Sequence, residues 1–197
     1  QVGSAYESNK NYQEHVEHEK IKKELDVMRM LQQALLIRDF KDYQNYSIHA
    51  VMDPARIVGG DFYDIFDLPD KRIAFVIGDV SGKGLPASLF MAISRSVVNA
   101  YSHYIEQPHN LLEYTNNIMV DDSRVGMFVT MFYGILNLET GHVIYSNAGH
   151  NQQFLYRIQE DKFIPLVSRG IPIGIDPAEQ YESNEVNMEH GDILFSF

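Results

Sequence analysis

Two short glycine-rich stretches hold the side chains best placed for chemistry. Val58-Gly59-Gly60-Asp61-Phe62-Tyr63-Asp64 and Gly78-Asp79-Val80-Ser81-Gly82-Lys83-Gly84 flank two β-prone runs joined at Leu68-Pro69-Asp70-Lys71. Partners in an antiparallel hairpin have a constant index sum, here about 140 for a turn centred near Asp70, so Asp61 is expected to face Asp79. Two carboxylates opposed at ~4 Å repel by on the order of 4 kcal/mol at an effective dielectric near 20. A hard divalent cation is the economical compensation. Carboxylates, backbone carbonyls and water are the ligands that Mg2+ and Mn2+ prefer, and glycines 59, 60, 78, 82 and 84 allow close backbone approach. The other reading is that each Asp ends its strand facing solvent, the commoner fate of Asp beside Gly, and from the pair alone this second reading leads.

The Lys83 segment also invites comparison with a phosphate-cradling P-loop, but the spacing refuses it. Three residues, not four, separate Gly78 from Gly82, and Gly84 stands where a metal-binding Ser or Thr is required. A helix N-terminus beside a metal can still orient a phosphate, which keeps Gly82 and Lys83 as candidates for the substrate side. Asn147-Ala148-Gly149-His150-Asn151 is a polar turn between two strands that places Asn147 or His150 near a substrate, or is simply a hairpin loop. His15 and His18 among Glu14, Glu17 and Glu19 have chelating spacing, yet on a polar helix they read as a solvated face. Ser81 and Ser96 lack a His–acid arrangement, and the Asn45-Tyr46-Ser47 sequon is discarded because nothing suggests secretion.

The elements that must position these residues follow from periodicity. From Tyr6 to Ile37 there is no Gly or Pro, and Ile21, Leu25, Met28 and Leu35, with Gln32 interrupting, recur at steps that suit an amphipathic helix or short coiled coil. Glu19 with Lys23 adds an i,i+4 pair. Such a helix either packs on its own domain or serves as a dimerising or signal-transmitting link. Short β-prone runs follow at Tyr46–Met52, Phe62–Leu68, Arg72–Val80, Phe128–Leu138, His142–Asn147, Gln153–Ile158 and Ile193–Phe197. Between the third and fourth lie two helical stretches. One opens at Gly84-Leu85-Pro86 and carries Leu89, Ile93, Val97, Ala100 and Tyr104; the other spans Pro108–Val120 with Leu111, Leu112, Tyr114, Ile118 and Met119. Hairpins on both sides of a helix pair imply an α+β fold with helices covering sheets.

Composition narrows the partners. With 16 Lys and Arg against 27 Asp and Glu, the net charge of −11 repels a phosphate backbone, which argues against nucleic-acid binding. The 197 residues suit one domain with a decorated edge, and 45% hydrophobic residues suffice for a core. The absence of Cys removes thiolate metal sites and Cys nucleophiles, so a metal must sit on oxygen or imidazole. No run reaches the roughly 20 apolar residues of a membrane span, and the polar first thirty residues are unlike a signal peptide. A cytoplasmic location without membrane contact by this segment is expected. The start at Gln1 and the stop at Phe197 within an apolar alternation suggest a piece of a longer protein.

Gly59-Gly60-Asp61-Phe62-Tyr63-Asp64, Gly78 through Gly84, Phe128-Val129-Thr130-Met131-Phe132-Tyr133-Gly134, Asn147 through Asn151, Gly170-Ile171-Pro172-Ile173-Gly174 and Gly191-Asp192-Ile193-Leu194 occur in one order. Together they resemble the bacterial metal-dependent Ser/Thr phosphatases of the type 2C (PPM) superfamily, in the branch of RsbU and the stage II sporulation E phosphatase. The resemblance covers about residues 25–197. It implies a four-layer α-β-β-α sandwich of two antiparallel sheets flanked by helices, preceded by an N-terminal helix, with residues 1–40 as linker and 41–197 as phosphatase domain. It further implies that Asp79 bridges two Mn2+ or Mg2+ ions, that the Val80 carbonyl coordinates one, and that Asp61 holds metal or its water. A metal-activated water then hydrolyses phosphoserine or phosphothreonine, on a substrate expected to be an anti-sigma-factor antagonist in a partner-switching pathway.

The same resemblance implies an upstream sensor domain and leaves room for a homodimer through the N-terminal helix. Membrane attachment of the parent through a missing N-terminal part stays open. Eukaryotic relatives carry a His after the Asp-Gly pair, whereas Val80 and Ser81 follow Asp79 here. The family also continues into Thr-Asp-Gly and paired-Asp motifs beyond the strand matching Ile193–Phe197, so this chain is expected to hold half of the metal cage and to turn over weakly or not at all. A non-catalytic phosphatase-like module that binds a signalling partner is the alternative.

Overall fold

In the computed structural model, which describes residues 2–35, 40, 41, 43, 45–52, 59–122 and 126–197, the two runs around Asp70 form the expected hairpin. Strand β1 (Phe62–Leu68) and strand β2 (Arg72–Val80) alternate buried and exposed side chains and pair from Phe62 with Gly78 to Leu68 with Arg72. Every pair sums to 140, as the turn position requires. Asp70 and Lys71 close the turn at positive φ. Strands β3 (Val129–Asn137), β4 (His142–Ala148) and β7 (Asn184–Asn187) extend this ladder into a sheet of order β1-β2-β3-β4-β7. A second sheet of order β6-β5-β8 joins β5 (Gln153–Arg157), β6 (Lys162–Leu166) and β8 (Ile193–Phe195). Both are antiparallel, and the fold is α+β.

Side-chain parity sorts the large sheet into two faces. Phe62, Phe66, Ala74, Val76, Val80, Val129, Met131, Tyr133 and Ile135 pack under helices α2 (Leu85–Ser102) and α3 (Pro108–Asp122). Ile65, Ile73, Phe75, Ile77, Phe132, Leu136, Val143 and Tyr145 meet Leu155 and Leu166 between the sheets. Leu111, Leu112 and Met119 pin α3 with complete burial, each contributing roughly 1.5–3 kcal/mol. Helix α1 (Val2–Leu35) touches the body at α2. Among the described residues no helix covers the outer face of the small sheet, where Phe163, Phe195 and Phe197 are exposed.

Four expectations need correction. The stripe Leu89, Ile93, Val97, Ala100 and Tyr104 is not the buried face of α2: Leu89 is 52% and Ile93 43% exposed, while Ala87, Ser88, Phe90, Met91, Ser94, Val98 and Ser102 face the sheet. The serines on that face satisfy their hydroxyls on Leu85, Phe90 and Asn99 carbonyls, so they pack as small residues that hydropathy scores as polar. Residues 46–52 alternate in exposure but form no strand; only Tyr43 and Tyr46 make an isolated bridge. Strands β6 and β7 were not expected, being edge strands with Pro165 or polar Asn-Glu-Val-Asn sequence. Helix α1 begins earlier than Tyr6, at Val2. Ile21 on it is exposed, whereas the side chains of Leu25, Met28, Gln32 and Leu35, and all of Ile37, lie outside the described residues.

Candidate functional site

Asp61 sits one step before the first pair of the β1–β2 ladder, so the register that pairs Phe62 with Gly78 sets it opposite Asp79. On its other side Asp79 pairs with Thr130 of β3. Asp61 shares its parity with Tyr63 and Ile65, and Asp79 with Ile73, Phe75 and Ile77, whose Ile and Phe side chains fill the space between the sheets. The two carboxylates therefore stand at one end of that space, open to solvent. They are close enough to hydrogen-bond. Loss of water pushes the Asp61 carboxyl up to about 6, helped by the hydrogen bond and charge of Asp79 and opposed by His150. In the absence of a cation a proton on Asp61 relieves the repulsion only at pH values below about 6.

The donor chemistry suits a hard divalent cation. Both side chains offer oxygen only, and the backbone at Gly60 lies against Val80 so tightly that an added Cβ would fall 2.8 Å from the Val80 carbonyl oxygen. Gly60 thus clears the carbonyl that the resemblance assigns to metal. Among the described residues no group of three or more His, Asp or Glu assembles at one point, so Asp61, Asp79 and Val80 would by themselves offer only part of a coordination shell.

The loop after Val80 leads directly into α2. Ser81 is occupied structurally, donating its N–H to the Phe128 carbonyl at 2.8 Å and accepting the Phe128 N–H on its hydroxyl at 2.9 Å. Gly82 and Gly84 take φ of 92° and 75°, and Lys83 between them is exposed at the α2 N-terminus. This places Gly82 and Lys83 at the same end of the sheet as Asp79.

Asn147 and His150 reach the site differently. The Asn147 carbonyl oxygen accepts the His150 N–H at 2.7 Å, and its amide donates to the carbonyls of His150 and Asn151 at 3.1 and 3.4 Å, so this side chain is spent closing its own turn. The turn carries the His150 ring to Thr130, with Nδ1 2.8 Å from Oγ1. The ring's Nε2 is buried without a hydrogen bond of good geometry, and burial pulls the imidazole below its usual range against the opposing effects of the Phe197 backbone and the Asp61 charge. His15 and His18 are exposed on α1, the solvated face that their setting suggested.

Three residues at or behind the site were not singled out as functional in sequence. Thr130 lies in a quoted motif but gains its place only through β2–β3 pairing across the helix pair. Asp64, also in a quoted motif, is completely buried and meets Arg95 of α2 at 2.7 Å. No local spacing connects those two positions.

Residues 69–197 match the family profile of Stage II sporulation protein E (SpoIIE). The chain is 30% identical over 190 residues to phosphoserine phosphatase RsbU of Bacillus subtilis (strain 168), covering 94% of this chain and 56% of that protein. It is 31% identical over 201 residues to Protein IcfG of Synechocystis sp., covering 88% of this chain and 32% of that one. The SiaA-PP2C domain of Pseudomonas aeruginosa superposes with a TM-score of 0.72 at 20% identity, over 90% of this chain and 71% of that chain, a likeness of fold. The chain thus spans about half, or less, of the curated relatives it matches.

Proposed function

The chain belongs to the SpoIIE family of PP2C-type phosphatases, and from that premise we propose that it is the phosphatase unit of a signalling protein that hydrolyses phosphoserine or phosphothreonine with Mn2+ or Mg2+. The observation that carries this reading is the opposition of Asp61 and Asp79 beside the Val80 carbonyl. Asp79 and Asp61 would hold the cations through their carboxylates and Val80 through its carbonyl oxygen. Bound cations supply charge neutralisation and an activated water for in-line attack on phosphorus. Lys83 and the first turn of α2 offer positive potential to the phosphate, and the exposed Gly82 leaves its approach unobstructed. Thr130 steadies the Asp79 backbone, donating its hydroxyl to the Asp79 carbonyl at 3.3 Å.

In this reading residues 1–40 are a linker helix that receives a signal from an upstream sensor and is available for homodimer formation, and 41–197 are the phosphatase domain. The substrate is a phosphorylated regulatory protein of the anti-sigma-factor-antagonist type, in the cytoplasm. RsbU is named a phosphoserine phosphatase, which supports the chemistry on fold and family grounds. A second reading, a non-catalytic module that binds a signalling partner, draws support from the incomplete donor set among the described residues.

Phosphate release from a phosphoserine protein, measured with and without Mn2+ for the intact protein and its Asp79→Asn variant, separates the two. Mn2+-dependent release lost in Asp79→Asn is expected. Silence of the intact protein with both Mn2+ and Mg2+ on several phosphoproteins would move the binding module ahead.

A further inference from the structure

The ion pair between Asp64 of β1 and Arg95 of α2 is an unusual use of a buried position. Asp64 is 0% exposed and the Arg95 side chain 15%, with the guanidinium Nη2 2.7 Å from Oδ2. Asp64 Oδ1 also accepts the Ile65 N–H at 2.9 Å, and Asn99, one turn along α2 from Arg95, adds a side-chain hydrogen bond. The pair is close but poorly aligned: neither Asp64 Oδ2 nor Arg95 Nε has a hydrogen bond of good geometry. Its neighbours on the same face are Phe62 and Phe66 of β1 and Met91 and Val98 of α2, where an apolar pair would pack without losing hydration. A buried pair of this kind contributes little net stability, so its effect is sought in what it positions.

Its place in the fold supplies the reason. Asp64 follows Asp61 by three residues on one strand, with the rest of the carboxylate pair on β2. Helix α2 contacts both strands and α1, and starts five residues after Val80. It is covalently tied to the Asp79 strand through Ser81–Gly84, and the only ion pair between α2 and β1 among the described residues is Arg95 with Asp64. Apolar contacts let a helix slide along a strand, whereas a charge pair of fixed reach does not.

We infer that Arg95 and Asp64 are positioning residues: the ion pair fixes β1 against α2 so that Asp61 is held at the distance from Asp79 at which the two share a divalent cation. This rests on the metal-phosphatase reading above. Neither residue touches metal or substrate; Arg95 acts on Asp61 only through Asp64 and the strand.

The test compares the intact wild type with Asp64→Leu/Arg95→Met, which replaces the pair by apolar groups, and with Arg95→Lys, which keeps the charge. Melting temperature, the Mn2+ concentration for half-maximal phosphate release, the rate at saturating Mn2+, and free Mn2+ by electron paramagnetic resonance are read for each. The double variant is expected to melt at or above the wild-type temperature while needing roughly 10- to 100-fold more Mn2+, by both activity and resonance, with most of its rate restored at saturation. Arg95→Lys is expected to shift the same way by less. A well-folded double variant with the wild-type Mn2+ requirement would overturn the inference, as would an unchanged requirement in Arg95→Lys should the double variant not fold. A wild type that neither binds Mn2+ nor releases phosphate would instead overturn the proposed function together with this inference.

Discussion

The hydroxyl of Thr130 lies 2.8 Å from Nδ1 of His150 while Thr130 itself stands directly across the ladder from Asp79. A hydroxyl has one proton, and Thr130 donates it to the Asp79 carbonyl at 3.3 Å. Toward His150 it then accepts, and because Nε2 has no well-aligned acceptor this is the better satisfied arrangement, with the imidazole proton on Nδ1 and the lone pair on Nε2. Nitrogen-15 NMR of the neutral protein should report the Nδ1–H tautomer at His150. Thr130→Val keeps the β-branched shape but removes both bonds, and should mix the tautomers and cost about 1 kcal/mol of stability. A wild-type spectrum showing Nε2–H would contradict this assignment.

The raised carboxyl of Asp61 gives a pH dependence with a definite sign. Asp61 loses its proton near 3.8 when unfolded and at about 6 when folded, chiefly because burial strips its water. The folded state holds the extra proton between those values, so this group's contribution to stability is greatest below 3.8 and is lost as pH rises through 6. His150, pulled down by burial, works the other way, its contribution being full above its ordinary value and lost as pH falls. Asp61→Asn removes the first effect and, by taking away a charge that holds the His150 imidazole up, deepens the second. In the presence of a chelator its gain in melting temperature over wild type should be larger at pH 8 than at pH 4, and its Mn2+ activation should be gone. An equal gain at both pH values would mean that the Asp61 carboxyl is not raised in the folded state.

Gly60 owes its lack of a side chain to its neighbour. A Cβ there would stand 2.8 Å from the Val80 carbonyl oxygen and 2.9 Å from Val80 Cβ, and one of these contacts is with backbone that cannot swing away. Gly60→Ala should cost about 1–3 kcal/mol and raise the Mn2+ requirement, because relief of the clash must move the carbonyl assigned to metal. Gly82→Ala is the contrast: nothing lies within 4 Å of its Cβ, and the strain comes from a φ of 92° in the loop alone. Melting curves and Mn2+ titrations of both variants check this; a normal Mn2+ requirement in Gly60→Ala would remove the Val80 carbonyl from the site.

The part of the site within one hairpin was legible because an antiparallel register is arithmetic. Once Pro69, Asp70 and Lys71 were read as the turn, the opposition of Asp61 and Asp79 followed without knowledge of any other element. Thr130 and Arg95 were not legible in that way, since each meets its partner through packing between elements separated by a helix or a sheet. The buried face of α2 was misread for a related reason. Ser88, Ser94 and Ser102 become acceptable in a core only after the helix exists to satisfy their hydroxyls, while Leu89 and Ile93 stay exposed. Strand β7 offers one apolar residue, Val186, against the inter-sheet core and is otherwise held by its ladder with β4 and by the exposed pair of His142 with Glu185, too little to leave a hydrophobic period.

Lys83 tests the substrate side of the site independently of the metal. It is exposed on a loop whose glycines leave open space around it. Its removal should therefore leave folding untouched. Its ammonium at the α2 N-terminus is the positive charge in the Ser81–Gly84 loop beside Asp79, and a phosphate arriving at the carboxylate pair carries charge that needs compensation before any cation is shared. Lys83→Ala should raise KM for a phosphoprotein about fivefold, near 1 kcal/mol, with an unchanged melting temperature and Mn2+ requirement. Lys83→Arg should retain most of the affinity, since the charge and not the shape is being used. Steady-state kinetics at two salt concentrations decide the matter, because an electrostatic contribution must shrink as salt rises. A KM for Lys83→Ala equal to that of the wild type at low salt would place the phosphate-binding charge elsewhere.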